Sequence, residues 1–325
     1  MPELNQRIGS GQPVATATGA SMPERDGYIF GVPCWVDVSE ADTEAALVFY
    51  GGLFGWEFEN VMPPGSEGNY FIARREAPSS SIFDTSRELR SGDVAAIGTI
   101  PQAAPPTGMW NTYFWVASAD EAASRVRDAG GGLVVEPFDF MNACRMAVFT
   151  DPEGAAFRVW EARQHKAARL VNDPGAVVFN NLNTRAIDAA RSFYGSVFGW
   201  HTGAIGGGAE GWTLPGYGDW LEREHHPQLR EQMAKAGAPQ GFEDVVGSIV
   251  PIADDQPDTP AHWSVTFATD DADATAAKAV ELGGRVIIPP FDAPWSTPTY
   301  TIRITVIADP HGASFSASKF VSGND

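Results

Sequence analysis

Phe49-Tyr50-Gly51-Gly52-Leu53-Phe54-Gly55-Trp56 returns 144 positions later as Phe193-Tyr194-Gly195-Ser196-Val197-Phe198-Gly199-Trp200, with six of eight residues identical. Two further markers repeat in the same order. Gly130-Gly131 with Pro137-Phe138-Asp139 returns as Gly283-Gly284 with Pro290-Phe291-Asp292, at an offset of 153. Asp151-Pro152-Glu153-Gly154-Ala155-Ala156-Phe157 returns as Asp309-Pro310-His311-Gly312-Ala313-Ser314-Phe315, at an offset of 158. Ordered self-similarity marks a duplicated architecture. The chain therefore reads as a tandem duplication joined near Gln164–Pro174, and the growing offset places extra residues in the second copy.

Working outward, Ala45, Ala46, Phe49, Tyr50 and Leu53 form a helical stripe over 42–54, which Gly55 ends. A β-rich stretch over 32–38 precedes that helix, and short strands follow near 70–73 and 94–100. The grammar then repeats: a strand over 111–116, a helix over 119–129, and strands over 146–150 and 156–161 around the turn at Asp151. The predicted class is α+β, built from four tandem βαβββ modules. They make two domains, 28–163 and 174–320, after a flexible tail over 1–27. A helical insertion at about 216–243 falls in the second domain, either as a packing flap or as a lid over a pocket.

The 325 residues carry 41 acidic and 22 basic side chains, a formal charge of −19. Such a surface disfavours nucleic acid and anionic membranes, both of which need clustered Lys and Arg. With 43% apolar and 11% aromatic residues, wholesale disorder is excluded. No apolar run reaches the roughly 18 residues of a membrane span, and the tail lacks the apolar segment of a signal peptide. Cys34 and Cys144 are the only cysteines, too few for a disulfide framework or a thiolate zinc site. They suit a reducing, cytoplasmic setting.

The helix ending Phe-Tyr-x-x-Leu-Phe-Gly-Trp and the Asp-Pro-x-Gly turn before a last strand resemble the vicinal-oxygen-chelate superfamily. That superfamily groups glyoxalases, bleomycin-resistance proteins and extradiol dioxygenases. The resemblance covers about residues 28–320 and is nearest to a two-domain bacterial branch whose first strand reads like Pro33 to Val38. It implies two glyoxalase-like domains, each a curled mixed sheet around a cleft. It also implies ligand positions for a divalent metal in catalytic members. Those positions fall here on Trp35, Asn111, Arg158 and about Ala96 in the first half, and on Phe179, Ser264, Ser316 and about Gly247 in the second. None is a good ligand for zinc, iron or manganese. All six histidines lie after residue 164, and of these His262, near a strand start, is the one to watch. The expectation is a chain with no metal and no cofactor.

Strand alternation adds the neighbours of those positions. Trp35 and Asp37 share a face, as do Asn111, Tyr113 and Trp115, and Arg158 with Trp160. The first cleft is thus expected to be aromatic, with one carboxylate, one guanidinium and one amide. The second, lined by Phe179, Asn181, Ser264, Thr266 and Ser316, is smaller and more polar. An aromatic cleft suits an aromatic or polycyclic small molecule held by stacking. The leading expectation is a binding protein for sequestration, resistance or an accessory role in biosynthesis. One alternative is a metal-independent isomerase, cyclase or hydroxylase-like enzyme with Asp37 as base and Arg158 as oxyanion partner. The other is glyoxalase-like detoxification of an aldehyde. Asp37 and Arg158 as a buried ion pair is the structural alternative to both roles. The chain is expected to be a monomer, its halves forming a pseudo-dimer, or a homodimer.

Overall fold

The computed structural model describes residues 27–78, 89–100, 108–294, 296 and 300–322, so the predicted tail lies outside them except for Gly27. Module one comprises β1 (Pro33–Glu40), α1 (Thr43–Phe54), β2 (Glu57–Asn60), β3 (Tyr70–Pro78) and β4 (Leu89–Thr99). Module two comprises β5 (Met109–Trp115), α2 (Ala119–Asp128), β6 (Gly132–Phe140), β7 (Cys144–Thr150) and β8 (Ala156–Ala162). Module three runs through β9 (Val177–Thr184), α3 (Ile187–Phe198), β10 (His201–Gly206), β11 (Ala209–Thr213) and β12 (Val245–Pro251). Its insertion holds α4 (Tyr217–Glu224), α5 (Leu229–Lys235) and a 3-10 turn, Phe242–Asp244. Module four is β13 (His262–Ala268), α6 (Ala272–Glu281), β14 (Arg285–Asp292), β15 (Tyr300–Ala308) and β16 (Ser314–Ser322). The four βαβββ modules are therefore present as the repeat predicted.

Each domain is one eight-stranded mixed sheet, ordered β2-β3-β4-β1-β5-β8-β7-β6 in the first and β10-β11-β12-β9-β13-β16-β15-β14 in the second. The first sheet curls until Tyr70, on β3 near one edge, meets Phe140, on β6 at the other, with ring centroids 5.1 Å apart. Among the described residues no strand pairing closes it, so a gap remains between the edges. Among the described residues no helix is long and apolar enough to cross a membrane.

The repeated motif does more than build its own helix. Asp42 caps α1 by accepting from the Ala45 amide, and Gly55 ends it in the left-handed region at φ 70°. That reversal delivers Trp56 to the partner half, where its indole donates to the Gly175 carbonyl at 2.8 Å. The twin Trp200 donates to the Gly31 carbonyl at 3.1 Å. Tyr50 donates to Asp309 at 2.9 Å and Tyr194 to Asp151 at 3.1 Å, so each Asp-Pro turn grips the other half's helix. The Gly-Gly marker completes the contact: a Cβ on Gly284 would lie 2.7 Å from the Phe49 ring, and one on Gly131 would lie 2.7 Å from the Phe193 ring. Each of the three markers thus contributes residues to the contact between halves. Gly284→Ala is expected to cost about 2–3 kcal/mol, because two backbone carbonyls as well as Phe49 crowd the new methyl. Urea unfolding followed by far-UV circular dichroism checks this, and a loss below 0.5 kcal/mol would contradict the close approach.

Candidate functional site

The first cleft is built on strand register. Asp37 on β1 pairs with Asn111 on β5 and Trp35 with Tyr113, while Tyr113 pairs with Arg158 and Trp115 with Trp160 on β8. Asp37 is buried and lies at the centre of a polar hub. Its Oδ2 accepts from the Tyr113 hydroxyl at 2.6 Å and the Tyr70 hydroxyl at 3.0 Å, and its Oδ1 accepts from the Asn111 amide at 2.7 Å. The Trp35 indole donates to the Tyr70 oxygen at 3.1 Å. Burial, reinforced by the Asp37 charge, pushes both phenols well above their ordinary range, so they remain donors. Arg158 does not join the hub: its guanidinium lies over the Tyr113 ring at 5.5 Å, and no ion pair links it to Asp37 among the described residues.

Trp35, Tyr113 and Trp160 are buried, and His165 of the segment between the domains packs against the two indoles. The Trp160 indole donates to the His165 carbonyl, and the His165 ring meets Trp35 edge-on at 4.9 Å. The Ala168 amide donates to the Cys34 carbonyl, and Tyr28, whose ring lies 5.8 Å from Trp115, donates to the Ala168 carbonyl. His165 has a defined tautomer. Its Nδ1 accepts from the Ala167 amide at 3.2 Å, so its Nε2–H donates to Asp93 at 3.1 Å. Burial opposes the Asp93 charge, but hydrogen bonds from His165 and Arg74 prevail and hold that carboxyl below its usual range. Burial pushes both thiols up, Cys144 to about 12, which makes the cysteines inert packing residues.

A pocket of about 330 Å3 opens where the sheet edges approach each other. Tyr70, Ile72, Phe140 and Trp160 form its wall, and His165 of the segment between the domains closes one side. Val61, Met141, Asn142, Ala143 and Gln164 complete it. The volume is at the lower end for small-molecule sites, and the mainly apolar lining is typical of them. Of these residues, sequence reasoning singled out only Trp160. A signal for Tyr70 and Ile72 existed: Ile72 pairs with Ala96, a position already assigned to the cleft, and alternation carries Tyr70 to the same face. The segment between the domains and the β6–β7 turn have no periodicity that could announce them.

The second cleft gathers the predicted polar set. Asn181 donates to Thr266 at 2.9 Å and accepts from Ser248 at 2.6 Å, and Asn183 donates to Ser264 at 2.9 Å. Ser316 pairs with Thr266 across β13 and β16. Phe179 faces Phe242 of the insertion at 6.4 Å, so the insertion covers one side of this cleft. The insertion is held by Arg230, which binds Asp219, Glu222 and Glu243. His262 hydrogen-bonds the Pro260 carbonyl at 2.9 Å, and His225 and His226 are buried at the end of α4.

The donor sets do not fit a divalent metal. Indole, methyl, amide and guanidinium groups occupy the four positions in the first sheet, and phenyl, hydroxyl and a bare glycine occupy those in the second. Among the described residues, no group of three or more His, Cys, Asp or Glu is arranged to hold a metal ion.

A family model described as Glyoxalase/Bleomycin resistance protein/Dioxygenase superfamily matches residues 35–159 and again 176–316. CFP32 of Mycobacterium tuberculosis (strain CDC 1551 / Oshkosh), whose name marks it provisionally as a glyoxylase, is 36% identical over 92% of this chain and 98% of its own length. The anthracycline biosynthesis protein DnrV of Streptomyces peucetius is 33% identical over 90% of this chain and 94% of its own length. Among solved structures, the Mn(II)-bound glyoxalase of Novosphingobium aromaticivorans superposes with a TM-score of 0.52 at 14% identity, over 91% of this chain and 85% of that one. That last likeness is one of fold.

Proposed function

The chain belongs to the Glyoxalase/Bleomycin resistance protein/Dioxygenase superfamily, and from that premise we propose that it binds a hydrophobic aromatic small molecule without a metal ion. The observation that carries this reading is the pocket between the sheet edges, whose wall is Tyr70, Ile72, Phe140 and Trp160. Beside it, the positions that would ligate a metal hold Trp35, Ala96, Asn111 and Arg158. The relative DnrV, named for anthracycline biosynthesis, supports an aromatic ligand and a role in handling a secondary metabolite, by sequestration, resistance or accessory presentation. The geometry weighs against Asp37 as a catalytic base, because three donors already occupy its two oxygens. In this proposal the protein works in the cytoplasm, and the mutual burial of its halves favours a monomer.

Phe140→Ala tests the site, since this half-buried side chain can be truncated without opening the core. Calorimetric titration with a bicyclic aromatic is expected to show binding weakened at least tenfold, from the loss of roughly 1.5–3 kcal/mol of ring contact. Equal affinity for the variant and the parent protein would remove this pocket as the binding site.

A further inference from the structure

Resting on that reading of the pocket, we infer that its ligand is polar at one end only: a planar ring system whose inner end is bare hydrocarbon and whose neutral hydroxyl or keto groups face the mouth. The inner wall looks polar in sequence but is spent in the structure. The Tyr70 hydroxyl donates to Asp37 and accepts from Trp35. The Trp160 indole is committed to the His165 carbonyl. Both His165 ring nitrogens are engaged, one by the Ala167 amide and one by Asp93. What these three residues offer a ligand is ring surface, continued by Ile72 and Phe140.

The mouth is different. Asn142 and Gln164 are exposed there, and among the described residues neither side-chain amide makes a hydrogen bond. Each can donate and accept, and neither carries charge. A hydroxyl driven inward would lose water and gain no partner, whereas the same hydroxyl at the mouth keeps water or an amide. An ionised group at the inner end fares worse still, since among the described residues no Lys, Arg, Asp or Glu lines the pocket. The small volume limits the buried part to two or three fused rings.

Isothermal titration of the full-length protein with 2-naphthol and two isomeric diols decides the matter. Naphthalene-2,3-diol carries both hydroxyls on one end, and naphthalene-2,6-diol carries one at each end. The 2,3-isomer is expected to bind at least tenfold more tightly than the 2,6-isomer, and 2-naphthol is expected to bind as well. Equal binding of the isomers, or tighter binding of the 2,6-isomer, would overturn the one-ended polarity while leaving aromatic binding in place. Absence of binding by all three would overturn the aromatic reading together with it.

Discussion

Asp37→Ala is expected to destabilise the first domain by about 4 kcal/mol, and Asp37→Asn by much less. The alanine variant strands two phenols and an amide that now converge on one buried carboxylate, and each unpaired buried donor costs roughly 1–3 kcal/mol before relaxation. In the asparagine variant the carbonyl oxygen still accepts from the tyrosines. The Asn111 amide can turn its own oxygen toward the new amide, so the hub survives. Guanidinium unfolding read by tryptophan fluorescence measures both. An alanine variant within 1 kcal/mol of the parent would show that Asp37 does not organise the cleft. The contrast also bears on catalysis, since a residue that holds Tyr70 in the pocket wall is a positioning group, and Asp37→Asn should retain ligand binding.

The second large effect lies at the contact between halves. Glu40 ends β1 fully buried, with Asp309 and His311 of the last module beside it, the His311 Nδ1 at 3.3 Å. Burial, then the neighbouring Asp309 and Asp42 carboxylates, push its carboxyl from 4.5 up to about 9. The twin position is Thr184, which donates to Glu153, so only one of the two equivalent contacts confines an acid this way. A folded pKa above the unfolded one means the native state holds an extra proton between the two values. The stability it brings is complete below pH 4.5 and is lost as pH rises toward 9. Glu40→Gln keeps a neutral hydrogen-bond donor beside Asp309 and has no charge to bury. At pH 9 the variant should be more stable than the parent by roughly 3 kcal/mol, or about 4–5 °C in Tm, with the gap shrinking toward pH 5. Thermal melts at the two pH values check this, and parallel profiles for the two proteins would refute the buried acid.

Much of the fold was legible in the sequence because duplication printed it twice. The helix stripe of Ala46, Phe49 and Tyr50 and the glycine stop at Gly55 gave a helix and a helix end that the structure shares, and the twin helix ends the same way at Gly199. Their deeper purpose was hidden, since a helix stripe announces burial without naming what buries it. Here Tyr50 and Trp56 reach across to the other half, a contact over more than a hundred residues. For the cleft, alternation placed Trp35, Asp37, Asn111, Tyr113 and Trp160 on one face, and register brings them together. It gave no warning that these side chains would satisfy one another. Nor did it show that a linker residue, His165, would pack against Trp35 and Trp160 and push the open space outward to Tyr70 and Phe140. Those contacts arise from an irregular segment whose course depends on the completed sheet.

The most direct test of metal-independent aromatic binding is calorimetric titration of the chelator-treated, metal-analysed protein with 2-naphthol, followed by mass spectrometry of the recovered compound. Saturable one-site binding, unchanged by chelation and by added manganese, with the compound recovered intact, is the expected result. Binding that disappears with the metal and returns with it, or a compound recovered chemically altered, would contradict the account.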